Sequence, residues 1–405
     1  MLDHAGKLST EDFEPIDGQA TVLAQHRSSS RLTDRHRITI GVVVIVFAAF
    51  GIGWMSWKRG RDSGLLFAIH GPSMAPTLLG EHRIASCGAC GLDWPVGISD
   101  DIESVDCFHC GDQAQVNDRV KVANVVMVHA YEGEFSGSGA DPLRSGDVVA
   151  IDGEEGLRIK RIAAVPGDTV ELDGAYLLIN GKPVPQSMAS ETELTVPISV
   201  MPFEMDRRRA VTRWAGKGWQ RSKQRNWESE GQEWLVYQHQ SIHQGNQPSR
   251  LWDDYPYNVG LSRKLQPVQR IVLSGKAVCE GRIVLETVFW IDNCAVAVTC
   301  EIEGDCEFEI SSDDALATKT APIAADAPVA IRVLAGSVRL SCLQLSRQIE
   351  YRLRPHDDHT CYPIELGSGE YFVVGDNVPV SLDSRNFGVI QDRDIKGRVA
   401  LIDSP

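Results

Sequence analysis

Residues Ile38 to Trp57 form a run of 20 positions without one charged side chain. A helix of that length rises about 30 Å, the thickness of a bilayer's hydrocarbon core. Trp54 and Trp57 lie at its end, where indole rings favour the membrane interface. A cleaved signal peptide fits less well. The charged leader occupies 37 residues, and no small-x-small site follows before Lys58. The run predicts an uncleaved transmembrane anchor over 38–57, with a polar, disordered tail over 1–37; a buried soluble helix is the alternative. Flanking charge does not orient it. Arg27, Arg31, Arg35 and Arg37 precede the run, and Lys58, Arg59 and Arg61 follow it.

The chain has 405 residues, too many for one ordinary core, which predicts two or three domains. A formal charge of −15 argues against nucleic acid as a partner, because phosphate binding needs a basic surface. One stretch runs against the acidic balance: Arg207, Arg208, Arg209, Arg213, Lys217, Arg221, Lys223 and Arg225. It reads as a solvated basic face, or as a contact for anionic lipid headgroups or wall polymers.

Beyond the anchor the pattern is mainly β. Short apolar runs at Leu65–Ile69, Val148–Ile151, Leu157–Ala164 and Tyr176–Ile179 read as strands, and Asn180-Gly181 is a hairpin-turn signal. Residues 130–141 read as a glycine-bearing loop, and 187–265 as irregular and tryptophan-rich. Trp214, Trp219, Trp227, Trp234 and Trp252 suit a core, with sugar stacking as the alternative. Runs at Ile283–Ile291, Ala295–Ile302 and Val329–Leu340 predict a β-sandwich-like region from about 268. The simplest organisation is one β region, 58–186 and 361–405, interrupted by a large insertion at 187–360.

Two short blocks carry chemistry. Gly71-Pro72-Ser73-Met74-Ala75-Pro76-Thr77-Leu78 follows the anchor, and Arg158-Ile159-Lys160-Arg161 lies 87 positions beyond the serine. A serine hydroxyl needs a base to become a nucleophile. A lysine can serve only when neutral, which from a reference pKa of about 10.4 takes a drop of roughly 3 units, or about 4 kcal/mol. Desolvation supplies such a drop, and Ile159, Ile162, Ala163, Ala164 and Val165 surround Lys160 in sequence. A third block, Gly375-Asp376-Asn377-Val378-Pro379-Val380-Ser381-Leu382-Asp383-Ser384-Arg385, offers a hydroxyl at Ser381 to accept from the lysine amine. Asp383 and Arg385 could pair and pin that loop.

These blocks resemble the boxes of type I signal peptidases, the Ser–Lys membrane proteases that remove signal peptides. Gly71–Leu78 is similar to the nucleophile box. Leu143–Ile151 is similar to the following strand box, with Ser145 at a position usually basic or otherwise polar. Ile159–Ile162 with Val165–Asp168 is similar to the lysine box, and Gly375–Arg385 to the last box. The resemblance implies Ser73 as nucleophile, Lys160 as general base and Met74 as a wall against water. It implies Ser381 as the residue orienting the amine, and Asp376, Asp383 and Arg385 as braces. Gly71 stands where some members place a second oxyanion hydroxyl, and Val378 where the family has arginine. The implied fold is a signal-peptidase-like catalytic β domain behind one transmembrane helix, with a large inserted domain. The implied partners are signal peptides of exported preproteins and the lipid bilayer, with the secretion translocase a further candidate. The implied place is the cell (inner) membrane, single-pass, with residues 58–405 extracytoplasmic. The competing reading is a catalytically inactive, membrane-tethered zinc and β-sandwich binding module.

Cys87-x-x-Cys90 and Cys107-x-x-Cys110 form two knuckle-like pairs, which suit a structural Zn2+ ion; two disulfides are the alternative. His109 and His82 read as exposed bystanders. Cys279, Cys294, Cys300, Cys306, Cys342 and Cys361 read as disulfides or buried thiols. Catalysis itself calls for no cofactor.

Overall fold

Alternating β-branched and aromatic segments make this a chain of strands. The computed structural model describes residues 21–22, 64–98, 102–131, 142–153, 156–188, 194–200, 213–222, 226–229, 231–318 and 321–401. The 38–57 run lies outside the described residues. Among the described residues no helix is long and apolar enough to cross a membrane.

An eight-stranded sheet holds the serine and lysine blocks. Its strands run in the order Thr21–Val22, Leu65–Ala68, Val125–Ala130, Ile395–Leu401, Val148–Gly153, Gly156–Ala164, Glu370–Val374 and Ile390–Gln391. The strand Gly156–Ala164 is buried at every position from Ile159 to Ala164. Ile159 packs with Phe67, Met74 and Leu78, while Ala163 and Ala164 face a second cluster with Tyr351 and Phe372. Both faces are therefore covered, so a lysine or arginine on this strand is carried into the interior.

A small sheet follows, with Tyr176–Ile179 between Thr169–Asp173 and Lys182–Pro183. Asn180 (φ 52°) and Gly181 (φ 74°) are both left-handed, the geometry a two-residue I′ hairpin requires. The cysteine-bearing segment forms its own four-stranded sheet, in the order Asp93–Gly97, His82–Ser86, Gln113–Val116 and Ser104–Asp106.

The insertion departs from the expected two-sheet sandwich. Its strands join one ten-stranded hydrogen-bonded sheet organised by a long hairpin, Ile271–Ile291 against Cys294–Ser311. Buried residues from distant strands, including Trp214, Trp219, Phe289 and Leu340, share one cluster, so this sheet closes over its own core. The hairpin turns at Asp292 and Asn293, both at positive φ; a β-bulge breaks its register after Val278, and another after Ser274 breaks the pairing of Ile271–Ile291 with Val338–Gln348. Those bulges hide the strict alternation by which the strand's first half would have been recognised. Trp214, Trp219 and Trp227 are core residues. Arg213, read as part of a solvated basic face, is buried and donates to the Gln240 carbonyl at 2.9 Å.

Two further expectations change. Thr21 and Val22, read as disordered tail, pair with Ala68 and Phe67. An edge strand offers unpaired N–H and C=O groups that accept another strand. All ten cysteines are free thiols, so the disulfide alternatives are not realised in this structure.

His239 lies in the insertion core with its ring beside Tyr237. Burial, reinforced by the charge of Arg213, lowers its pKa from 6.5 to about 4. Between those values the unfolded chain binds the extra proton, so stability rises with pH and is lost as pH falls below about 6.5. One such proton gives a slope of up to about 1.4 kcal/mol per pH unit. We expect the melting temperature to drop between neutral pH and pH about 5, and His239→Gln to flatten that drop. A variant with the wild-type slope would remove His239 as the cause.

Candidate active site

The serine block folds as a compact turn because small residues let its ends meet. Gly71 adopts φ 72°, and Gly80 lies so close that a Cβ there would stand 2.6 Å from the Gly71 carbonyl oxygen. Ala75 N donates to Pro72 O at 3.1 Å and Leu78 N to Met74 O at 3.0 Å. Met74 and Leu78 sink into the cluster that holds Ile159. The turn brings Ser73 to the lysine strand, where Lys160 Nζ donates to Ser73 Oγ at 3.2 Å. Ser73 is 8% exposed and Lys160 1%.

Arg161, the next residue, makes a buried ion pair with Asp376. Nε and Nη2 donate to the two carboxylate oxygens at 2.9 and 2.7 Å, and Nη1 donates to Gly146 O at 2.8 Å. Asp376 also accepts from Tyr351 OH at 2.7 Å and from the Thr77 hydroxyl. Burial pulls the Arg161 guanidinium down, but Asp376 carries it above its ordinary range. One cluster thus joins the lysine strand, the serine turn, the 375–385 loop and the segment of Tyr351.

That loop is pinned at its far end. Asp383 caps the short helix Ser384–Phe387 and accepts from Gly375 N at 2.8 Å. Arg385 grips Asp383 at 2.8 and 2.7 Å and reaches the carbonyls of Arg352 and Val378. Burial raises the Asp383 pKa, but the charge and hydrogen bonds of Arg385 bring it below its ordinary value. Val378 packs into an apolar cluster.

Ser381 differs from expectation. Its Oγ is buried and makes no hydrogen bond, so the expected acceptance from Lys160 is not formed. Ser381 does lie against the site: a Cβ on Gly375 would collide with both Ser381 Oγ and the Ser73 carbonyl oxygen. The loop turns back through Ser381 N to Asn377 O at 3.0 Å, which seats Ser381 over Gly375.

Further residues of the site lie within the same sequence blocks. Asn377 N donates to Ser73 O, and Asn377 Nδ2 to Pro72 O, both at 3.0 Å. Arg161, Thr77 and Asn377 all lie inside the recognised blocks. Tyr351 and Asn258, whose side-chain amide pairs with that of Asn377 at 2.8 Å, lie outside the recognised blocks and have no local signal. A cavity of about 580 Å³ backs the 376–379 loop, but neither Ser73 nor Lys160 lines it. The contact of Ser73 with Lys160, not this cavity, brings a hydroxyl and an amine together.

Cys87, Cys90, Cys107 and Cys110 converge with all four sulfurs within 4.8 Å of one another. The knuckles match bond for bond. Gly91 N donates to Cys87 O and Gly111 N to Cys107 O, and both glycines sit at positive φ. Sγ pairs at 3.5 and 3.6 Å are too long for a disulfide and near the about 3.8 Å of a tetrahedron with Zn–S of about 2.3 Å. Hydrogen bonds with Cys110 and Cys90 favour the thiolate of Cys107. The four residues could hold a metal ion. His109, read as an exposed bystander, is buried beneath the knuckles with Nδ1 3.2 Å from Ser199 Oγ. Burial lowers its pKa to about 4.

Removing one partner of a buried pair strands the other charge, at a cost of about 3–5 kcal/mol. We expect Asp376→Ala to lose stability on that scale in urea unfolding, and Arg161→Met with Asp376→Leu to recover part of it. Asp118→Ala, at the fully exposed end of the Arg83–Asp118 pair, should change nothing measurable. Equal losses in the two single alanine variants would refute the role given to burial.

The profile of the signal peptidase family, peptidase S26, matches residues 39–213 and 343–402, more than half of the chain. Signal peptidase I S of Bacillus subtilis (strain 168) is 42% identical over 60 residues, 15% of this chain. The match spans only 28% of that relative's length. On the extent of the family match, the chain belongs to the signal peptidase family, peptidase S26.

Proposed function

We propose that this protein is a membrane-anchored serine endopeptidase that cleaves signal peptides from exported preproteins with a Ser73–Lys160 dyad. The observation that carries the reading is the 3.2 Å contact between Lys160 Nζ and Ser73 Oγ in a buried setting. Burial disfavours the ammonium form, as a general base requires. Asp383, a buried carboxylate that feels the Lys160 charge, is already neutralised by Arg385.

In this mechanism an extended preprotein segment adds as a strand beside the sheet and places small residues in small pockets before the cut. Ser73 Oγ attacks the scissile carbonyl as Lys160 takes its proton. The Ser73 backbone N–H donates to the oxyanion. Lys160 passes the proton to the leaving amine, then activates the water that clears the acyl-enzyme. Gly71 supplies no second hydroxyl donor. Met74, Asp376, Asp383, Arg385 and Ser381 shape and hold the site, Ser381 from its place over Gly375.

Residues 38–57 would anchor the chain in the cell membrane, leaving 58–405 extracytoplasmic and 1–37 cytoplasmic. Leu65 and Leu66, exposed just after the anchor, suit the interface. A membrane between residues 1–37 and 58–405 is incompatible with the Thr21–Val22 pairing on the Leu65–Ala68 edge, so in the anchored protein that edge would be open. The catalytic domain would comprise 58–186 and 361–405, with residues 187–360 as its inserted domain and the knuckles at 85–113 as a smaller insert. The knuckle sulfurs would hold Zn2+ as a closed, structural site with no open position for chemistry.

Cleavage of a preprotein in detergent or liposomes tests the proposal. Wild type should cut, and Ser73→Ala and Lys160→Ala should each lose at least about a thousandfold in kcat. Wild-type protein that cuts no better than either variant would leave only a non-cleaving binding module. In the same preparations, elemental analysis should find about one zinc per chain and Cys107→Ser should lose it. Zinc-free wild-type protein with unchanged folding would exclude the metal.

A further inference from the structure

Two backbone carbonyls of the nucleophile turn, Pro72 O and Ser73 O, are both held by Asn377, through its side-chain Nδ2 and its backbone N at 3.0 Å. Asn377 is 1% exposed. An amide side chain in that place has two orientations of nearly equal shape. Only one presents Nδ2 to Pro72; the other sets two oxygens face to face.

Pro72 O selects that orientation, and Asn258 reinforces it. Asn258 Nδ2 donates to Asn377 Oδ1, and Asn377 Nδ2 donates to Asn258 Oδ1, each at 2.8 Å. In a reciprocal amide pair neither member can turn over without facing donor to donor and acceptor to acceptor. Asn258 is itself fixed in a short turn. Its N donates to Tyr255 O at 2.9 Å, and the Leu261 N donates to its carbonyl at 3.3 Å. Tyr255 and Tyr257 stack at 5.6 Å. From the other side, Gly97 N of the knuckle sheet donates to Tyr257 O at 2.9 Å. Asn258 falls outside both segments matched by the family profile, 39–213 and 343–402, and so belongs to this chain's own insertion.

We propose that Asn258 is a positioning residue for the nucleophile: the insertion uses its amide to lock Asn377, and through Asn377 the Ser73 turn. This rests on the Ser73–Lys160 reading for its catalytic consequence, but its structural content stands apart from it. Loss of the Asn258 amide leaves Asn377 Oδ1 buried without that donor and frees the amide to turn. The turn then loses its hold at Pro72, and Ser73 Oγ drifts from Lys160. Small displacements of this kind act on kcat more than on KM.

The test uses the full chain in detergent, with preprotein cleavage and hydrogen exchange read on the same samples. Asn258→Ala should lower kcat about ten- to a hundredfold with KM within about twofold. Exchange of the 71–78 amides should quicken, while the 271–311 hairpin keeps its wild-type protection. Asn377→Ala and the double variant should match in kcat, because both changes break one linkage. Should Asn258→Ala not fold, Asn258→Asp keeps the shape and the acceptor and carries the same measurements. Wild-type protection of 71–78 in a folded Asn258 variant overturns the proposal whatever the activity. If wild-type protein does not cleave, the peptidase reading fails, and the exchange measurement alone decides this one.

Discussion

The buried pair of Arg161 and Asp376 is the constraint on which the arrangement of the site depends. Arg161 lies opposite Val374 in the sheet, two residues before Asp376, so register brings the charges together. A guanidinium taken out of water must have its donors met, and here a carboxylate and the Gly146 carbonyl meet them. The carboxylate in turn takes hydrogen bonds from Tyr351 and Thr77. Each partner comes from a different stretch of chain. The pair can be satisfied only when the serine turn, the lysine strand, the last loop and the segment of Tyr351 are all in place. What such a cluster supplies is register, and the Ser73–Lys160 distance follows from it.

The insertion and the cysteine knuckles do more than extend the molecule sideways. Tyr351 and Asn258 reach two successive residues of the active-site loop, Asp376 and Asn377. Arg354 donates to Ser381 O at 3.0 Å and pairs with Asp357, while Arg385 returns to Arg352 O. The knuckle sheet touches the same neighbourhood at Tyr257, and Asn246 ties Gly111 to the insertion. Residues outside the family-matched segments thus reach the loop that holds the Ser73 turn.

Much of the site was legible because its residues sit in short blocks whose chemistry is local. Asp383 followed two residues later by Arg385 already suggested a pinned loop, and a helix cap needs little beyond those neighbours. Asn180-Gly181 announced its hairpin because both residues tolerate positive φ. The long hairpin was harder. Asp292-Asn293 is a weaker turn signal, and bulges interrupt the alternation on which strand reading rests. His109 and Arg213 are polar residues of ordinary surface type, and nothing nearby announced their burial.

The amino-acid order by itself determined which chemistries this chain can host: a serine in a glycine-bounded turn, a lysine on an apolar strand, and four cysteines in two matching knuckles. These follow from spacing and side-chain type over a few residues, where backbone geometry leaves few choices. Tertiary structure alone decided that Arg161 would face Asp376, that Ser381 would rest over Gly375 without reaching the amine, and that Asn258 would lock Asn377. Those outcomes depend on strand register and on the docking of a domain more than a hundred residues away in the chain. Side-chain pairing at that separation is set by packing of the whole molecule, which no local pattern encodes.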